Sequence, residues 1–474
     1  MLRTVNLRAL LITLTVAVVL IGGSVAIHEL QVYRQADAFL AQAQRVYAQG
    51  KSSEAIGYYR RYLRLNPDDV ESMAMLGNLL ADAGRLAEAQ RILGQVVQRE
   101  SGRAEERKLL VEVAIRRGRF QDALYHLDEH LIDGDLVAHV RASDVRADSV
   151  EPDPQTAELL DLKGVCQAQL GNYEEAEQTF RDAQKVDPGR LETIENLAAL
   201  HVDDRRSRQQ FDTAVEELKQ AVTAHPDRYE AYLIRAQFYQ RHRDEPALHR
   251  EVVKLEESTD ETDPIALLQQ RIHEDAQLAL ELSLPEFEAA TAALGEAERG
   301  VEAAEQYATG LWESENSDAA ERSGANSELQ QARRDLATQE ETINRLQLVK
   351  LFAANAAVGV LQLDLADSIA QQLIDSGFES PLPYSLRADI AIRKDDSDAA
   401  IAHLEAGLEQ FPGSEDLLWA LASVRIAQGL DEETDALIGA LEDIEGMDPL
   451  VRFLNARIEM QKQNWEPAQL ALEG

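Results

Sequence analysis

"GNYEEAEQTFRDAQKVDPGR", Gly171 to Arg190, decides the fold. Gly171 can end one helix by turning the chain at positive φ. Ala176 then lets a second helix approach the first closely, and Phe180, one helical turn on, fills the space between them. Pro188 stops that helix and starts the next segment. The same ruler lies elsewhere along the chain. Gly50, Gly84 and Gly118 are equally spaced, and Ala55, Ala89 and Ala123 keep the same interval. A shorter interval, from alanine to proline, is identical in Ala55 to Pro67, Ala176 to Pro188, Ala214 to Pro226 and Ala400 to Pro412. The filler position holds Tyr59, Leu93, Leu127, Phe180, Leu218 and Leu404. A repeated helix–turn–helix unit explains all of these spacings.

Met73-x2-Leu76-Gly77-x2-Leu80 with Ala89-x3-Leu93 resembles the tetratricopeptide repeat, W-x2-L-G-x2-Y followed by A-x3-F and P. The glycine interval also equals the length of that repeat. The unit at Leu160 keeps Gly164, Ala176, Phe180 and Pro188 but carries Lys163 and Gln167 at positions expected to be apolar. Units are read at 36–69, 70–103, 104–131, 157–190, 191–228 and 229–255, then at 381–414 and 415–446, with an incomplete one from 449. The resemblance implies an all-α fold, a right-handed α-solenoid whose first helices line a groove. Its groove positions fall on Glu71, Asn78, Asp82, Asp161, Val165, Glu195, Gln237 and Arg241. Their mixture implies a mainly acidic groove that favours basic or polar segments of partner proteins or peptides. Relatives that clamp an acidic C-terminus use Lys and Asn; here those places hold Leu40 and Gln44, so a carboxylate clamp is not expected.

Two segments break the ruler. In 132–155 the phase slips, since Ala123 to Ala176 is longer than one interval and shorter than two, and a surface insertion is expected. In 261–380 the period becomes seven: Phe287, Leu294, Val301 and Ala308, with Ala290, Ala297, Ala304 and Leu311 between them, then Leu329, Leu336 and Ile343. That spacing predicts an antiparallel helical, coiled-coil hairpin with arms near 285–312 and 328–350, either packed into the solenoid as two more long repeat helices or projecting and able to serve a homodimer. The last unit stops at Gly474 without a polar cap, which suggests a fragment or a covering partner.

The N-terminus adds a membrane expectation. Ala9 to Ile27 is an uninterrupted run without a charge. At about 1.5 Å per residue it would extend roughly 28 Å, one hydrocarbon core. Arg3 and Arg8 precede it, placing residues 1–8 in the cytoplasm and everything after the 9–27 span across the bilayer. Ser24-Val25-Ala26 also fits a signal-peptide cleavage site, which would release a soluble periplasmic adaptor. The remaining organisation is 28–131 and 156–260 as repeats, with the final repeats in 381–474.

Composition narrows the function. The chain carries 85 acidic against 47 basic residues, a net charge of -38, so no nucleic-acid partner is expected. The lone Cys166 excludes an intramolecular disulfide and reads as a buried thiol. "HLDEH", His126 to His130, matches the H-x-x-E-H spacing of zinc peptidases. In its helix, however, Ala123, Leu127 and Leu131 are core positions, and no third ligand to join His126, Glu129 and His130 can be singled out. The cluster His242 and His249 spans a turn among arginines that would repel a cation. No Walker loop, dinucleotide fingerprint, G-x-S-x-G or C-x2-C occurs. The expectation is a non-enzymatic scaffold without cofactor or metal, anchored in a membrane and serving envelope assembly or secretion.

Overall fold

The computed structural model describes residues 35–49, 51–132, 153–202, 208–246, 248–250, 263–314, 319–429, 431–442, 444 and 446–473. Among these the regular elements are all helices. The Ala9–Ile27 span and most of the 132–155 insertion lie outside the described residues. Among the described residues no helix is long and apolar enough to cross a membrane. The chain divides into two compact units, Met1–Leu200 with Gly295–Ala337, and His201–Leu294 with Thr338–Gly474.

Unit 1 is built from helix pairs: α1 (35–48) with α2 (Ser52–Leu65), α3 (Val70–Asp82) with α4 (Leu86–Arg99), α5 (Ala104–Arg116) with α6 (Phe120–His130), and α7 (Pro154–Gln169) with α8 (Tyr173–Val186), followed by α9 (Leu191–Val202). The turn inside a pair follows the glycine ruler. Gly84, Gly118 and Gly171 have φ of 69°, 69° and 84°, which an L side chain resists. The next amide in each case, from Arg85, Arg119 or Asn172, donates to the carbonyl of Leu80, Ala114 or Gln167 and closes the helix end. Between paired helices there is no room to spare. A Cβ on Gly77 would lie 2.7 Å from Leu93 Cδ2, and one on Gly164 would lie 2.5 Å from the Phe180 ring. Ala55, Ala89, Ala123 and Ala176 are fully buried beside those contacts. Tyr59, Met73, Leu76, Leu80, Leu93 and Val96 make one continuous core through the first pairs, and Val111, Leu127, Leu159 and Cys166 carry it on.

Unit 1 also contains parts of two long helices, α12 (Pro264–Glu313) and α13 (Ala319–Gly359). Ala308, Ala325 and Leu329 bury themselves against Ala48 at the end of α1. Arg333 completes that contact. Its guanidinium donates to the carbonyls of Tyr47 at 2.6 Å and Ala48 at 3.2 Å, pairs with Glu305 at 2.7 Å, and stacks 4.9 Å from the Tyr47 ring centroid. The orphan carbonyls at the end of a helix are thus capped by an arginine from far along the chain.

Unit 2 holds α10 (Arg208–Ala224), α11 (Tyr229–Arg241), the remaining parts of α12 and α13, and then α14 (Leu363–Asp375), α15 (Leu382–Arg393), α16 (Ser397–Gln410), α17 (Glu415–Gln428), α18 (Asp431–Glu442), α19 (Asp448–Gln461) and α20 (Trp465–Glu473). The seven-residue pattern is real burial: Phe287, Ala290, Leu294, Val301, Ala304, Ala308, Leu329, Leu336 and Ile343 are all buried or half-buried. Within unit 2, Arg345 pairs with Glu286 at 2.8 Å, and Ala279, Ala290, Leu346 and Val349 share a core with Tyr229 of α11. Arg235 of α11 meets Asp275 of α12 through two bonds of 2.7 and 2.6 Å, both side chains buried.

The C-terminal part of α13 does a second job. Ala354, Ala388, Ala422 and Ala456 keep the interval of the glycine ruler and are buried, and so do Ala366, Ala400, Thr434 and Ala468. The repeat ruler therefore runs from the end of α13 onward, with α13 and α14 packed as a repeat pair around Ala354, Ala366, Ala370 and Leu373.

Candidate functional site

A cleft of about 700 Å³ opens in unit 1 between α3, α5 and residues 330–337 of α13. The repeat unit dictates what faces it. Asn78 and Asp82 come from α3; Glu105, Glu106, Lys108 and Glu112 come from α5; Gln330, Arg333 and Arg334 come from α13. Apolar contact comes from Leu79 and Leu109. Lys108 is already held by Glu158 at 2.8 Å, and Glu106 by Arg103 at 3.0 Å. Asp82, Glu105 and Glu112 have no ion-pair partner among the described residues. Burial pushes the Asp82 carboxyl above its ordinary pKa, although its side chain still meets solvent, as a concave wall allows. Burial raises Glu112 too, with Lys108 opposing it. The wall therefore carries three carboxylates without a direct ion pair among the described residues, whose charge a cationic group would stabilise.

The groove positions expected from sequence separate here. Asn78 and Asp82 share the cleft. Glu71 is exposed on α3 and bonded to Arg103 at 2.8 Å, outside the cleft. Asp161 corrects the expectation of a groove side chain. It is buried, and accepts from Arg190 Nε at 2.6 Å and Thr193 Oγ1 at 2.9 Å, tying α7 to α9. Burial raises its pKa, with Arg190 and Thr193 working against that shift. Val165 is half-buried against the Phe180 core, and Glu195 is exposed on α9. Gln237, half-buried, and Arg241, exposed, belong to α11 in unit 2. Leu40 packs against the first core, which gives a packing reason for an apolar residue there.

The residues missed were Glu105 and Glu112, and the ruler could have found them. They lie one repeat interval after Glu71 and Asn78. Arg333 carries no comparable local signal.

"HLDEH" is not organised as a metal centre. His126 Nδ1 lies 3.3 Å from Arg107 Nη1, and its ring meets Tyr125 edge-on at 5.2 Å. A guanidinium at that distance opposes a second cation. Glu129 is exposed, and the His130 side chain lies outside the described residues. Among the described residues no group of three metal-capable side chains converges. His242 stacks on Phe238 at 4.7 Å, and burial lowers its pKa. Cys166 is buried and free, its thiol pushed up to about 12 by burial, so it is unreactive at neutral pH.

Stacked helix pairs with a polar cleft on their first helices define a helical-repeat interaction protein. A tetratricopeptide-repeat family model matches residues 40–105, 74–136 and 200–247, and a second tetratricopeptide-repeat model matches residues 157–190. Over those residues the chain is built of tetratricopeptide repeats. Among solved structures it is similar to MamA, residue 41 to the end, from Desulfovibrio magneticus RS-1, at 19% identity over 40% of this chain and 93% of that one, TM-score 0.31. It is also similar to a tetratricopeptide repeat protein from Parabacteroides merdae ATCC 43184, at 16% identity over 52% of this chain and 93% of that one, TM-score 0.34. A third is YrrB, described as a TPR protein with an unusual peptide-binding site, at 19% identity over 41% of this chain and 88% of that one, TM-score 0.30. No curated protein matches the chain.

Proposed function

We propose that the chain is a membrane-anchored scaffold whose unit 1 cleft holds a basic segment of a partner protein. The observation that carries this reading is the convergence of Asp82, Glu105 and Glu112, all without ion-pair partners among the described residues, in a cleft of about 700 Å³. Lysine or arginine side chains of an extended or helical segment would pair with these carboxylates, while Leu79 and Leu109 take apolar contacts. Bilayer attachment through residues 9–27 rests on their uncharged sequence and would raise the effective concentration at the membrane. An extracytoplasmic role in envelope assembly follows from the same orientation. Partner recognition needs no chemical step and no cofactor. The buried and half-buried seam of α12 and α13 faces this chain's own helices, so a homodimer through that hairpin is not part of the reading.

The test is titration of the full chain with lysine-rich, neutral and glutamate-rich peptides of equal length. The basic peptide should bind best, and Asp82→Asn with Glu112→Gln should weaken it about tenfold, roughly 1.4 kcal/mol. Cation binding favours the ionised carboxylates, and burial raises the pKa of Asp82 and Glu112, so affinity should fall on acidification from above the ordinary range, about 4. Equal binding of all three peptides would sink the proposal. N-terminal sequencing of the mature protein distinguishes an anchor from a cleaved leader ending near Ala26.

A further inference from the structure

A second cleft, of about 230 Å³, lies within unit 2 between α12, the end of α13, and α14. Its walls are Leu280, Leu284, Ala353, Leu365 and Ile369. Four nitrogen-bearing side chains line it as well, His273, Gln277, Lys350 and Gln372. His273 is 3% exposed, and neither of its ring nitrogens has a hydrogen bond of normal geometry. The Gln362 side chain works against the effect of His273's burial. Lys350 is 7% exposed and has no carboxylate partner among the described residues. Its Nζ sits 3.5 Å from the Phe287 ring centroid, which supports the cation from one side only and uses none of its three donors. Burial lowers the pKa of both groups.

A buried cation without a counter-ion is costly, and structures seldom keep one without a use. Here Lys350 lines a space whose walls are mostly aliphatic, so the partner that would suit it is an anion on an apolar body. We propose that this cleft binds an aliphatic carboxylate, with the carboxylate on Lys350 Nζ and the chain against Leu280, Ala353 and Ile369. A cavity of about 150 Å³ takes one benzene. The volume here therefore suits an acid of roughly six to eight carbons. Glu281 stands at the mouth, held by Gln277 at 3.2 Å. It would take the ammonium of an amino acid such as leucine, and a simple acid would leave it in water.

The experiment is calorimetric titration of the full chain with hexanoate, leucine and 1-hexanol, beside Lys350→Met, which keeps the length and apolar stem of the side chain. Hexanoate should bind the wild type at least about tenfold more tightly than hexanol. Lys350→Met should lose that preference while its thermal unfolding stays cooperative. Leucine binding more tightly than hexanoate would bring Glu281 into the site, and weaker binding would identify a simple acid as the ligand. Equal affinity for hexanol and hexanoate, unchanged hexanoate affinity in Lys350→Met, or no binding of either acid overturns the proposal. The basic-peptide titration reads a different unit, so its failure and this one are independent.

Discussion

The turn between the two helices of a repeat is built in both units, with different residues. In unit 1 it is glycine: Gly84, Gly118 and Gly171, all at positive φ. In unit 2 the equivalent places, spaced by the same ruler, are Leu361, Asp395, Gly429 and Gln463, with φ of 60°, 58°, 76° and 60°. An L residue pays roughly 1–2 kcal/mol for that conformation, and Asp tolerates it better than Leu or Gln. The first helix-closing contact of the C-terminal repeats differs too. Unit 1 sets Gly77 against Leu93 and Gly164 against Phe180, a missing side chain opposite a large one. In unit 2 the pair of α13 and α14 sets Ala354 with Ala370, two small ones, and the next pair sets Ala388 with Leu404. Position in the ruler, not residue identity, fixes the backbone. Flanking packing is strong enough in unit 2 to hold a strained residue at the turn.

The sharpest way to break this comparison is to empty the large partner. Phe180 is 1% exposed, so Phe180→Ala should cost about 3–5 kcal/mol in chemical denaturation. Ala370→Gly, at the equivalent place in unit 2, should cost only about 1–2 kcal/mol. Equal costs would mean the two closures are the same after all. Next in size, Gly164→Ala should destabilise by about 1–3 kcal/mol through overpacking, whereas Gly300→Ala should stabilise by about 0.5–1 kcal/mol, because a Cβ on Gly300 of α12 meets nothing within 4 Å. The turn itself can be exchanged. Gly118→Ala should lower stability by about 1–2 kcal/mol, and Leu361→Gly, with Leu361 72% exposed, should raise it by about 1 kcal/mol.

The smallest effect is at Asp69, which caps α3 through the Ser72 amide at 3.1 Å and accepts from Tyr62 at 2.6 Å. Burial alone would raise its pKa, but these bonds outweigh burial and leave it below the ordinary value. A carboxyl with a depressed folded pKa adds stability above the unfolded value near about 3.9, and that stability is lost as pH falls through the folded one. Asp69→Ala should cost about 1 kcal/mol at neutral pH. The gap from wild type should close in acid, read from thermal unfolding across pH.

The all-helical repeat fold was legible because Gly84, Gly118, Ala89 and Ala176 are chemically distinctive at fixed spacing. The ruler was harder to see at the start of the C-terminal repeats. Leu361 and Asp395 occupy turns usually marked by glycine, and Ala354 lies in α13, where no break separates the seven-residue pattern from the repeat. Half of the cleft was visible for a similar reason. Asn78 and Asp82 lie on a repeat with strong signatures, while Glu105 and Glu112 needed the ruler to be carried one unit further. The contribution of α13 had no local signature, since Arg333 reaches Tyr47 across 286 residues.

That reach has a consequence for how the protein is made. During synthesis the end of α1 emerges long before the arginine that caps it, 286 positions downstream. At roughly 5–20 residues per second, translation of that interval takes on the order of 15–60 s. For that time the nascent first repeats have the wall of α3 and α5 but not the side supplied by α13, so a partner present at the ribosome or translocation channel meets a wider opening than the finished molecule offers.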